Sequence, residues 1–95
     1  MKQGFNQVAV IGAGTMGHGL ALLFALGGNK VVLIDVSRER LDFAMEMIRS
    51  HLEDLNLNEE YQTEPEMVIH RIRTESNLEA GVSESDIVLE AIVEK

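Results

Sequence analysis

At 95 residues the chain is long enough for one domain and too short for two. Its 45% hydrophobic and 25% charged residues are those of an ordinary globular domain, and no apolar run approaches the ~18–20 residues that span a bilayer, so no membrane role is expected. A net charge of −8 argues against nucleic acid as a partner, because phosphate backbones are held by clustered Lys and Arg, and the lack of cysteine removes disulfides and thiolate metal sites.

The N-terminal residues Met1–Phe5 run straight into a strand pattern, with neither a signal nor a transit peptide, which predicts a cytoplasmic protein. Gln7–Ile11 is apolar on successive residues, as expected of a strand buried on both faces of a parallel sheet. From Thr15 to Leu26 the spacing is helical, and Gly27-Gly28-Asn29 stops the helix. Val31–Asp35 is a second buried strand. Ser37 then caps a helix whose apolar stripe is Leu41, Ala44, Met45, Ile48, Leu52 and Leu55.

Asn56–Glu66 is polar and acidic, contains the only proline, and reads as a loop or an irregular helix end. Ile69–Thr74 alternates weakly and is expected to be the third strand. Ser76-Asn77-Leu78-Glu79 has capping-box spacing and predicts a short helical turn to Ala80, ended by Gly81. Asp86–Val93 closes the pattern as a last buried strand. The alternation predicts an α/β fold, a Rossmann-type doubly wound parallel sheet of about four strands in the order 3-2-1-4, with residues 1–95 forming one dinucleotide-binding domain.

Gly12-Ala13-Gly14-Thr15-Met16-Gly17 is G-x-G-x-x-G. Alone that pattern is weak. Here it follows a buried strand, opens a helix and is followed by Asp35 at the end of the next strand, which makes it specific for a dinucleotide. Gly12 permits the tight turn, Gly14 lets a pyrophosphate approach the backbone, and Gly17 allows close packing of the helix. Free N–H groups near Thr15 and Met16 then face the phosphates. Asp35 accepts hydrogen bonds from the adenine ribose and repels a 2′-phosphate, which favours NAD over NADP. Arg38 is the opposing feature, as an arginine near this site could accept that phosphate. No Gly-Lys-Ser or Gly-Lys-Thr follows, so the loop is not of the mononucleotide P-loop type.

Val8–Gly17, Gly19-Leu20-Ala21, Val32–Asp35 and Leu89–Glu94 together resemble the NAD-binding domain of the L-3-hydroxyacyl-CoA dehydrogenases over nearly the whole chain. The resemblance implies oxidation of the 3-hydroxyl of an acyl-CoA in fatty acid metabolism, with hydride passed to NAD. It implies that Gly12, Ala13, Gly14, Thr15, Met16 and Gly17 hold the pyrophosphate, that Asp35 holds the ribose, and that Glu94 lies near the nicotinamide. Ser50 and His51 stand where the family contacts CoA. The family's catalytic His–Glu pair lies beyond Glu94, so the chain contains no catalytic residue and reads as the first part of a longer enzyme, a possible homodimer at full length, inactive as this piece alone. Two other readings keep the same cofactor domain: a dehydrogenase of another small 3-hydroxy acid, and a non-catalytic dinucleotide sensor.

The remaining candidates have plainer roles. His18, just after the glycine loop, is expected to face solvent, and His70 to pack at the edge of the core. Arg71 and Arg73 are expected on the polar face of the third strand, and Met16, Met45, Met47 and Met67 in the core. No His and carboxylate residues fall at metal-ligand spacing, so no metal is expected.

Overall fold

A computed structural model describes residues 7–56 and 64–91 of the chain. Its elements, in order, are β1 (Gln7–Ile11), α1 (Thr15–Leu26), β2 (Lys30–Ile34), α2 (Arg38–Asn56), α3 (Pro65–His70), β3 (Ile72–Glu75), α4 (Leu78–Val82) and β4 (Ile87–Glu90). The four strands form one sheet in the order β3-β2-β1-β4. Every pairing is parallel, with Val8 opposite both Val31 and Ile87, and Val31 opposite Ile72. The expected strand order and α/β class are those of the structure.

Alternate residues of the inner strands serve two faces. Val8, Val10, Val31 and Leu33 face α1, α2 and α3 and meet Ala21, Leu22, Ala25, Leu41, Ile48 and Leu52 in the main core. Ala9, Val32 and Ile34 form a smaller cluster on the opposite face, which Val82 of α4 helps to cover. Helices therefore lie on both faces, and the change of face occurs between β1 and β4. In such sheets the crevice beyond the strand C-termini at this reversal is where ligands bind.

Local chemistry explains the element ends. Helix α1 stops in a Schellman motif: Asn29 N–H donates to Phe24 O (3.0 Å) and Gly28 N–H to Ala25 O (3.0 Å), with Gly28 at φ 99°. Helix α2 is capped by Ser37, whose Oγ accepts from Arg40 N–H at 3.2 Å.

The second half of the chain departs from expectation. Pro65 does not mark a loop but opens α3, where its fixed φ suits the first helical position and its missing N–H costs nothing. Ile69 and His70 belong to that helix, and the third strand starts only at Ile72. His70 is exposed rather than packed. Arg71 lies outside the strand, and its Nη1 donates to Ala25 O at 2.6 Å, adding a cation to the negative end of α1. Only Arg73 is an outward strand residue, paired with Glu75 at 3.2 Å. Helix α4 is capped by Asn77 rather than Ser76, with Asn77 Oδ1 accepting from Ala80 N–H at 2.9 Å. It continues through Gly81 to Val82, and at Gly81 it packs so close to β2 that a Cβ would fall 2.4 Å from Ile34 Cδ1. Strand β4 is half-buried, with Val88 and Glu90 exposed. Met16 and Met67 are exposed rather than in the core. The expected loop at 57–63 and the strand end at 92–93 lie outside the described residues.

Ile48 is fully buried in the main core, whereas Leu23 is 63% exposed. Urea denaturation is expected to show Ile48→Ala losing about 2–5 kcal/mol and Leu23→Ala changing stability by no more than about 0.5 kcal/mol.

Candidate functional site

The loop between β1 and α1 is built by contacts that only glycine permits. Gly12 has φ 104°, a conformation that strains any residue with a side chain. A Cβ on Gly17 would lie 1.7 Å from Gly12 O, so the first turn of α1 sits directly on the loop's own carbonyl. The closeness expected between helix and sheet is thus mainly closeness of the helix to the loop, with Ala91 Cβ next at 3.7 Å. Gly14 differs from both. It is the N-cap of α1, it makes no side-chain cap bond, and a Cβ placed on it would meet no protein atom within 4 Å. Its backbone borders open space.

The loop is tied to both neighbouring strands. Gly12 N–H donates to Ile34 O and Ala91 N–H to Ile11 O, each at 2.7 Å. The first helical bond of α1 runs from His18 N–H to Gly14 O at 2.9 Å, so the N–H groups of Thr15 and Met16 precede the ladder. The positive end of α1 therefore opens at the sheet reversal.

Asp35, expected as the last residue of the second strand, is the first residue past β2, which ends one residue earlier at Ile34, and it is only 7% exposed. Its Oδ2 accepts from Ala13 N–H and its Oδ1 from Ser37 N–H, both at 2.9 Å. A carboxylate has about four lone-pair sites, so acceptor capacity remains. Arg38, the arginine singled out by spacing, is turned away: its Nη1 donates to Thr74 Oγ1 at 3.0 Å. The cation over Asp35 is Arg40, with Nη1 3.9 Å from Oδ2. Its signal in the sequence was its place one turn into a helix capped by Ser37, which points its side chain back toward the strand end.

Two clefts meet at this loop. One, of about 420 Å³, lies at the sheet reversal between Gly12, Gly14, Asp35, Ser76, Leu78 and Ala91. The other, of about 640 Å³, lies between the starts of α1 and α2 and is lined by Gly14, Thr15, His18, Ser37 and Phe43. Arg40 and Val36 line both. The smaller cleft joins the loop, the carboxylate and the switch point. His18 is buried rather than solvent-facing, and its ring stacks on that of His51 with centroids 5.8 Å apart. Of the residues singled out by sequence, Gly12, Ala13, Gly14, Thr15, Gly17 and Asp35 are brought together. Gly17 packs under the loop against Gly12 O without lining either cleft, Met16 also lines neither, and Glu94 lies outside the described residues.

Residues 7–95 match the family model for the NAD-binding domain of 3-hydroxyacyl-CoA dehydrogenase. The chain belongs to this family. It is 39% identical to a 3-hydroxybutyryl-CoA dehydrogenase of Bradyrhizobium diazoefficiens, over 95% of this chain and 31% of the relative. It is 31% identical to a probable 3-hydroxyacyl-CoA dehydrogenase of Caenorhabditis elegans, over 97% of this chain and 33% of the relative. The solved (S)-3-hydroxybutyryl-CoA dehydrogenase of Ralstonia eutropha superposes with a TM-score of 0.89 at 29% identity, covering 97% of this chain and 32% of that one. The chain thus spans about a third of the length of the curated relatives it matches. The cofactor of this NAD-binding domain is NAD, and the open Gly14 backbone, the amides of α1 and the spare acceptors of Asp35 fit such a group.

The contrast between the glycines is measurable. Gly17→Ala is expected to lose up to about 3 kcal/mol on urea denaturation, at the upper end of overpacking costs. Gly14→Ala, facing open space, should lose no more than about 1 kcal/mol, the scale of a cap change. Equal losses would mean that steric contact does not distinguish them.

Proposed function

We propose that this chain holds the adenosine and pyrophosphate half of NAD for a 3-hydroxyacyl-CoA dehydrogenase. The observation that carries the reading is Gly14. It is an uncapped helix N-terminus whose missing side chain leaves open space at the sheet reversal, beside a fixed carboxylate.

In this reading the N–H groups at the start of α1 donate to the pyrophosphate oxygens, helped by the positive end of the helix. Gly14 lets the phosphates reach van der Waals contact with the backbone. Asp35, oriented by Ala13 and Ser37 N–H, accepts from the adenine ribose hydroxyls with its remaining lone pairs and disfavours a 2′-phosphate. Bound NAD supplies the hydride acceptor for the 3-hydroxyl of an acyl-CoA. Glu94 is assigned to the nicotinamide end by family likeness. Ser50 and His51, exposed on α2, are assigned to the CoA on the same ground. The substrate class follows relatives named for 3-hydroxyacyl-CoA and 3-hydroxybutyryl-CoA, in keeping with a role in fatty acid metabolism.

Calorimetric titration of the 95-residue chain should show saturable NAD binding, tighter than NADP binding. Gly14→Ala should weaken both nucleotides by at least roughly tenfold, the effect of about 1.4 kcal/mol, with the fold retained by circular dichroism. Asp35→Ala should narrow the preference for NAD. Unchanged affinity in Gly14→Ala would remove the glycine loop from the assignment, and equal binding of NAD and NADP by the unaltered chain would remove Asp35.

A further inference from the structure

Arg40 has no place in the reading above, yet it stands nearer the ribose carboxylate than any other cation in the described residues. Its guanidinium is 3.9 Å from Asp35 Oδ2, its side chain is 71% exposed, and it lines the clefts on both sides of the Asp35–Val36 ridge. Ser37 Oγ fixes its backbone by accepting from Arg40 N–H, at the third residue of α2. That is an unfavourable place for a cation: the positive helix end is stabilised by acidic groups and weakened by basic ones. A capping box would put Glu or Gln there. The neighbouring Arg38 is engaged with Thr74, while among the described residues the Arg40 guanidinium has only a long contact to a carboxylate whose near lone pairs are taken by two backbone amides.

We propose that Arg40 is a specificity-determining residue for the 2′ position of the adenine ribose: it makes the site more tolerant of a 2′-phosphate than Asp35 alone would allow. The inference rests on the dinucleotide reading of the same site. A 2′-phosphate on a ribose held at Asp35 meets the carboxylate's negative charge. Arg40, on the solvent side of that carboxylate, offsets part of this charge and offers planar N–H donors to the phosphate oxygens. Its exposure leaves it free to swing over either cleft. Glu39, which lines the larger cleft, carries the opposite charge and keeps the discrimination graded. The outcome is a preference for NAD that is shallower than an isolated carboxylate would impose.

The test is the ratio of NADP to NAD dissociation constants, measured by calorimetry on the full 95-residue chain and on Arg40→Ala, Arg40→Lys and Arg38→Ala. Arg40→Ala is expected to raise the ratio on the order of tenfold, the size of one charge-assisted hydrogen bond. Arg40→Lys should restore most of the unaltered ratio, since it keeps the charge. Arg38→Ala should leave the ratio where it was. An unmoved ratio in Arg40→Ala, or an equal rise in Arg38→Ala, overturns the inference while NAD binding stands. Failure of either nucleotide to bind the unaltered chain overturns the dinucleotide reading and the inference with it.

Discussion

The carboxylate of Asp35 is the joint on which the rest of the site depends. It receives one amide from the glycine loop and one from the turn into α2, 22 residues apart in sequence for the first of these. Two parallel strands place these amides near each other but do not orient them. Parallel pairing fixes Gly12 against Ile34, and beyond that point the backbone leaves the sheet on both sides. A buried acceptor with two oxygens is the simplest group that joins two departing backbones at once. Removing it would leave amides without partners, which costs more than the bonds themselves contribute. The same anion that organises the loop is then already in position for ribose hydroxyls. Structural and binding roles share one side chain because both need a fixed acceptor at the end of the second strand.

The glycines divide the remaining work by the direction in which each lacks a side chain. Gly17 faces inward, where Gly12 O occupies the position of its Cβ, so its contribution is to the protein's own packing. Gly12 contributes a backbone conformation. Of the three loop glycines, only Gly14 faces outward, into space that no protein atom fills. A loop serving packing alone would need the first two and would tolerate a side chain at the third. The outward glycine is therefore the part of the motif that points beyond the chain.

Legibility along the sequence followed the strength of local signals. β1 and α1 were readable to the residue, because an unbroken apolar run ends at a glycine and a helical period begins three residues later. Helix α2 was readable from six apolar positions and a serine cap. The failures lie where an element is too short to show a period. Helix α3 has six residues and two buried side chains, and the Ile69–Arg73 run alternates well enough to imitate a strand. At α4, serine and asparagine caps fit adjacent registers equally well in the sequence, and the fold uses Asn77, with Gly81 packed against Ile34, a contact no local pattern announces. The glycine loop and Asp35 were legible as a set because motif and spacing coincide. Arg40 was not, because counting residues from Asp35 favours the nearer Arg38. Side chains on a helix lean toward its N-terminus, so the residue one turn in reaches back over the cap, while the first residue turns to the neighbouring strand.

A net charge of −8 opposes a ligand built around a diphosphate, and the geometry resolves the conflict. The acidic pair Glu53-Asp54 lies near the far end of α2. At 1.5 Å per residue, Asp54 is roughly 24 Å along the helix from Arg38. The Debye length at physiological ionic strength is about 8 Å, so those charges are screened before their field reaches the glycine loop. What a phosphate meets locally is the uncapped positive end of α1, the guanidinium of Arg40 and open backbone at Gly14, set against the single carboxylate of Glu39 in the larger cleft. Asp35 is the one buried anion among the described residues, and two amides and a guanidinium already surround it. Net charge describes the surface that solvent sees, and the site is defined by the few groups within a screening length of it. The sheet reversal gathers those groups at one end of the molecule and leaves the acidic length of α2 leading away from it.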